Sequence, residues 1–155
     1  MSTTAISMST LRTDLLRPIL WGGLLAATFD LISAALTFGV GVPRAIAGGL
    51  LGRDTAMHGG AGVWTLGVVL HYLILLTAAT IYCLASRKLQ FLKQHWLVCG
   101  LFYGIAIFLV MNLVVLPLSA LHSMGPYKYP SLVQGIVGHM LLVGLPISFS
   151  LRKFG

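Results

Sequence analysis

Three ionisable side chains, Asp30, His71 and His139, lie inside long apolar segments of this 155-residue chain. Burying a charge at the centre of a membrane-spanning helix costs about 2.5–3.5 kcal/mol. Ionisable residues at such positions are therefore expected to have a structural or functional role. A carboxylate beside a histidine can exchange protons near neutral pH, handle ions, or accept hydrogen bonds that hold helices together. These three residues are therefore the candidates for a functional site.

The composition indicates a membrane protein. The chain is 57% hydrophobic and 8% charged, with a mean hydropathy of +0.95, whereas soluble proteins carry about 25% charged residues. Each apolar stretch reaches the roughly 20 residues that a spanning helix needs. We predict an all-α fold, an integral membrane four-helix bundle forming one domain over residues 11–155, after a disordered polar tail at residues 1–10. The predicted spans are residues 19–40, 61–86, 96–120 and 131–151.

Small side chains share a helical face with Asp30, and they predict the direction of its side chain. Bulky side chains lie on the other side of the same helix, and small residues let another helix approach closely, so Asp30 should face the bundle. The small stripe consists of Gly23, Ala26, Ala27, Ser33, Ala34 and Thr37. In the third span, Gly100 and Gly104 form a small-xxx-small pair, which favours packing within the chain over a dimer face.

The distribution of basic residues predicts the topology. Seven of the ten cations fall on one side of the predicted membrane, and Arg44, Arg53 and Lys128 fall on the other. By the positive-inside rule, both termini are expected in the cytoplasm. This pattern also favours anchoring beside anionic lipid over a nucleic-acid partner. The seven are Arg12, Arg17, Arg87, Lys88, Lys93, Arg152 and Lys153.

The connection between the first two spans predicts a short interfacial helix. Pro43 suits the first turn of a helix, and Gly52 suits its end. Arg44 and Arg53 stand at the two ends with apolar residues between them, as in a segment lying along the membrane surface. A partly re-entrant piece packed in the bundle is the alternative, because glycines within it permit close approach.

Each predicted span contributes a polar group, which indicates a buried polar core. Counted along the helices, Asp30, His71 and His139 fall in one layer near the midplane, and Asn112 lies closer to the surface. Pro117 and Pro146 predict kinks, because each proline frees a carbonyl that needs a partner or a wet cavity.

This core admits three interpretations. It is structural, with Asp30 accepting hydrogen bonds from His71 or His139; it handles protons or cations; or His71 and His139 ligate a metal as axial ligands of a b-type haem. The spacing of the histidines supports a metal only weakly, so no cofactor is the leading expectation. No nucleophile elbow, phosphate-binding glycine loop or pair of catalytic carboxylates occurs, which argues against an enzyme.

Part of the chain resembles the YagU-like bacterial inner-membrane proteins. The similarity covers the last three spans and includes His71 and His139, whereas the first span with Asp30 departs from the pattern. It implies a small polytopic protein of the bacterial inner membrane whose activity is not established. The residues that carry it are Trp64, Gly67, Val68, His71, Tyr82-Cys83, Pro117-Leu118 and Ile136-Val137-Gly138-His139.

These observations lead to one functional hypothesis with two alternatives. The first is a non-enzymatic inner-membrane protein whose Asp/His core serves assembly, partner binding or small-ligand binding. The alternatives are a proton or cation pathway through the bundle or an oligomer, and a haem-binding protein. The expected partners are the lipid bilayer and either further copies of the chain or another membrane protein.

Overall fold

The chain folds into helices throughout the part that the structure describes. The computed structural model describes residues 3–123 and 128–155, with side chains from residue 15 onward. No strand occurs within these ranges. Two π-helical segments, π1 and π2, interrupt the regular helices. The elements are α1 (Thr3–Phe38), α2 (Val42–Leu51), α3 (Arg53–Met57), α4 (Ala61–Ser86), α5 (Phe91–Gln94), α6 (Trp96–Val110), π1 (Met111–Val115), α7 (Leu116–Leu118), α8 (Ser131–Gly138), π2 (His139–Gly144) and α9 (Leu145–Phe154).

Four helical segments are long and apolar enough to cross a membrane, which confirms the predicted all-α four-helix bundle. They are named spans 1 to 4: Leu15–Phe38, Ala61–Ser86, Trp96–Leu118 and Ser131–Phe154. The end of the bundle that carries the connection between spans 2 and 3 is called the terminal end, and the other is called the α2 end. The backbone of residues 3–10 continues α1, and the polar tail proposed for residues 1–10 stays a prediction.

The spans form a ring in which consecutive helices are neighbours. Span 1 packs against α4 on one side and against span 4 on the other, and span 4 packs against α6. Tyr103 closes the ring between α6 and α4, since its hydroxyl donates to the carbonyl of Ala78 over 2.7 Å and its ring lies 4.7 Å from that of Tyr82. Small and aliphatic side chains fill the centre, among them Ala26, Ala27, Leu75, Ala78, Ala79, Val143, Ile147 and Leu151.

Glycines set the close contact between spans 3 and 4. A methyl group on Gly104 would overlap the carbonyl of His139, and one on Gly144 would overlap the carbonyl of Gly100. The two backbones therefore touch. This contact confirms that the Gly100/Gly104 pair packs within the chain.

α2 lies against the bundle rather than apart from it. Pro43 occupies its first turn and Gly52, with φ of +82°, ends it, both as predicted. The carbonyl of Pro43 lies so close to Gly67 that a methyl group there would overlap it, and Gly67 is already six residues into α4. The other end of α2 reaches span 3, where the Ala120 amide donates to the Gly49 carbonyl over 2.9 Å. α2 thus covers the end of the bundle between spans 2 and 3.

Candidate functional site

Asp30 and His71 meet between span 1 and α4. The Nε2 atom of His71 lies 3.8 Å from Oδ2 of Asp30, and the two side chains are only 8% and 19% exposed. Asp30 lies about 12 Å from the end of span 1, and His71 about 15 Å from the start of α4, so their depths agree within one helical turn. As predicted, Ala26 and Ala27 on the same face as Asp30 are fully buried.

His71 ties the two helices together through its ring. Its Nε2 atom lies 3.0 Å from the backbone carbonyl oxygen of Ala27 in span 1. A carbonyl oxygen only accepts hydrogen bonds, so Nε2 carries the proton and donates it. A second link lies beside it, where the hydroxyls of Thr28 and Tyr72 are 2.9 Å apart. Hydrogen bonds of this kind between membrane helices contribute about 0.6 kcal/mol each and align the two helices.

The Asp30 carboxylate, in contrast, has no hydrogen-bond donor within the described part of the chain, because the single proton on His71 Nε2 is directed to Ala27. An ionised carboxylate has room for about four hydrogen bonds. The Asp30 side chain is part-buried, and a carboxylate left without a donor at membrane depth is costly. Asp30 is therefore free to accept a hydrogen bond from a ligand.

The structure does not bring His139 to this pair. The Nδ1 atom of His139 donates to the Gly135 carbonyl of its own helix over 2.9 Å, and its ring lies 5.4 Å from that of Phe108. Asn112 likewise bonds within its own helix, since its Nδ2 donates to the Phe108 carbonyl over 2.8 Å. Of the four predicted core residues, the structure pairs only Asp30 and His71, whereas the side chains of His139 and Asn112 each bond to a carbonyl one turn earlier in their own span.

This separation bears on the weak metal candidates. α4 packs against span 1 and α2, whereas π2, which begins at His139, packs against α6 and span 1. Each histidine already uses one ring nitrogen in a hydrogen bond. Among the described residues no group of three or more His, Cys, Asp or Glu side chains is placed to hold a metal. His71 and His139 share no hydrogen-bond partner in the described part of the chain.

Both predicted kink prolines follow π-helical turns. The residue before each proline donates its amide five residues back: Leu116 to Met111 before Pro117, and Leu145 to Met140 before Pro146. Proline cannot donate, so the wider turn redistributes the carbonyls that a regular helix would leave unpaired. Asn112 lies in the first of these turns, and His139 begins the second.

The two arginines of the predicted interfacial segment differ in environment. Arg53 is exposed, whereas Arg44 is half-buried, and its Nε atom is buried with no hydrogen-bond partner in the described ranges. Arg44 follows Pro43, which touches Gly67, and Gly67 lies one turn from His71 on α4.

The sequence analysis missed three residues of the site, Ala27, Thr28 and Tyr72. The Ala27 carbonyl carries no side-chain signal, so its bond with His71 could not be foreseen. Thr28 and Tyr72 could have been noticed, because both are polar, lie within predicted spans and neighbour the pair along the chain.

Comparison with known proteins does not assign this chain to a family. No family model, curated protein or solved structure matches this chain.

Proposed function

We propose that this chain is a non-enzymatic, multi-pass protein of the bacterial inner membrane whose Asp30–His71 pair binds a small cation that donates hydrogen bonds. In this proposal both termini are cytoplasmic, as the charge distribution predicts. The observation that supports the binding role is the Asp30 carboxylate, which lies beside His71 without a donor of its own.

A hydrogen-bonding cation fits this carboxylate for electrostatic reasons. An unpaired charge at membrane depth is unfavourable, and a cation at Asp30 would neutralise it while filling its free acceptor sites. Hard metal ions such as calcium and magnesium need several oxygen ligands. Asp30 alone supplies only its carboxylate, so a protonated nitrogen compound, with ammonium as the simplest, is a better match than a metal.

The pair also serves assembly. The bond from His71 to Ala27 and the contact of Thr28 with Tyr72 join span 1 to α4 on the same side as Asp30. A ligand held by Asp30 would therefore lie between two helices that the pair already links.

A proton or cation pathway is the competing function, and the pair itself supports it, because a carboxylate and a histidine can pass a proton between them. The packing favours binding over conduction. Between the pair and the terminal end, the centre of the bundle holds small and aliphatic side chains such as Ala78, Ala79, Ile147 and Leu151, all at most 5% exposed. A pathway would need an oligomer or a rearranged bundle, and it would give liposome proton flux that Asp30→Asn abolishes.

Thermal unfolding of the detergent-purified protein tests the proposed binding. Ammonium chloride is expected to raise the melting temperature by several degrees above that in sodium chloride of equal ionic strength, because a ligand bound only by the folded state stabilises it. Asp30→Asn should abolish the difference. Asp54→Asn is the matched control, since Asp54 is exposed on α3 outside the spans, and it should retain the full shift. An equal shift in both variants, or none in the parent protein, would contradict the proposal.

A further inference from the structure

A groove runs along the outside of span 4 at the terminal end. Its cavity measures about 660 Å³, and apart from Ser150 and Lys153 its lining is apolar. Span 4 forms the floor, span 1 forms one wall through Trp21 and Phe29, and α6 contributes Trp96. The groove is distinct from the Asp30–His71 pair, neither member of which lines it.

The length of the groove matches one membrane leaflet. It extends along span 4 from Leu141 to Lys153, which at 1.5 Å per residue is about 18 Å. Half of a bilayer's hydrocarbon core is about 15 Å. The groove therefore reaches from the headgroup level, at Lys153, to about the middle of the membrane.

Aromatic rings and cations are concentrated at the headgroup end. Trp21 stacks on Phe154 with ring centroids 6.3 Å apart, and the Trp96 ring meets that of Phe149 at 5.5 Å. The cations lie over these same rings: the Arg152 guanidinium is 5.4 Å from the Trp96 centroid, and Lys153 Nζ is 5.2 Å from the Phe154 centroid.

The charge at this end is positive. Arg17 lies one turn before Trp21 on span 1, which adds a third cation to Arg152 and Lys153. Asp14, one turn before Arg17, is the one acidic residue of the sequence at the terminal end, and its side chain lies outside the described ones. An anionic group at the mouth of the groove would complement this surplus.

The structure thus assigns to this groove an anionic phospholipid, with an acyl chain along span 4 and its phosphate beside Lys153. An acyl chain matches the length and the apolar lining of the groove, and its phosphate matches the cations at the mouth. Basic pockets between membrane helices are known to bind lipid headgroups. The groove selects lipid by charge at its mouth and holds it by apolar contact along its length.

Native mass spectrometry of the full chain tests this assignment. The protein is exchanged into detergent containing equal amounts of phosphatidylglycerol and phosphatidylcholine with identical acyl chains. Phosphatidylglycerol should be retained at least fivefold over phosphatidylcholine, because one cation near an anionic surface contributes about that factor. Lys153→Glu should remove this preference. Lys88→Glu, the same charge change at an exposed position of the terminal end outside the groove, should preserve it.

A second variant tests the apolar part of the groove. Leu141 is half-exposed at the inner end, so Leu141→Trp should fill the cavity there without disturbing the core, and it should lower the retention of both lipids. Equal retention of the two lipids by the parent protein would overturn the proposal. So would equal loss of phosphatidylglycerol in Lys153→Glu and Lys88→Glu, or a second copy of the chain bound in place of lipid.

Discussion

Gly144→Ala is expected to lower the free energy of unfolding by about 1–3 kcal/mol, the usual range for an overpacked core. The added methyl group would overlap the Gly100 carbonyl oxygen and lie 2.7 Å from the Gly104 amide nitrogen. These are backbone atoms of a neighbouring span, so no side chain can move aside, and spans 3 and 4 must separate. Chemical denaturation of the protein in mixed micelles measures the change.

Gly138→Ala is the matched control for this substitution. Gly138 lies in the same span, and a methyl group there has nothing within 4 Å. Alanine favours a helix over glycine by up to about 1 kcal/mol, so this variant should be as stable as the parent protein or more so. If Gly144→Ala were equally stable, the close contact between spans 3 and 4 would be wrong.

Gly67→Ala is expected to dislodge α2 from α4. A methyl group at Gly67 would overlap the carbonyl of Pro43, which also belongs to the backbone. With a cost of about 1–3 kcal/mol, the detached state of α2 becomes roughly 5–150 times more populated. Trypsin cleavage after Arg44, half-buried in the parent protein, should accelerate by the same factor. Fragment masses report the site of cleavage.

Cleavage after Arg53 provides an internal reference in that experiment, because Arg53 is exposed with or without α2 in place. Gly62→Ala is the matched variant, since Gly62 lies in the same helix with open space around it. Slow cleavage after Arg44 in Gly67→Ala, at the rate seen in Gly62→Ala, would show that α2 does not rest on Gly67.

Much of the fold could be predicted, because it depends on the length of the apolar segments and on the size of the side chains along each helix. The second span begins and ends where predicted, at Ala61 and Ser86, and the other three agree within a few residues. The orientation of Asp30 could also be predicted from the sequence. Small residues on its face let α4 pack closely, whereas Phe29 and Ile32 on the opposite side remain exposed. Pro43 and Gly52 bounded α2 correctly, since their backbone preferences are local.

The arrangement of the polar groups could not be predicted in the same way. Counting residues along each helix places Asp30, His71 and His139 in one layer. It does not show which neighbouring span each side chain faces. The π-helical turn that begins at His139 changes the direction of every later side chain of span 4 relative to a regular helix. The hydrogen bond from His71 to the Ala27 carbonyl depends on the approach of two backbones, which no residue type reveals.

The most direct test of the proposed site is nuclear magnetic resonance of the Asp30 side-chain carbon and the His71 ring nitrogens in bilayers, during a titration with ammonium chloride. We expect the proton of the His71 ring on Nε2 at the start, then a saturable change of the Asp30 and His71 signals together, with the Asp54 signal unchanged. Sodium chloride at equal ionic strength should leave the pair unaltered. A pair that does not respond to ammonium, or that responds equally to sodium, would contradict the claim that Asp30 binds a hydrogen-bond-donating cation.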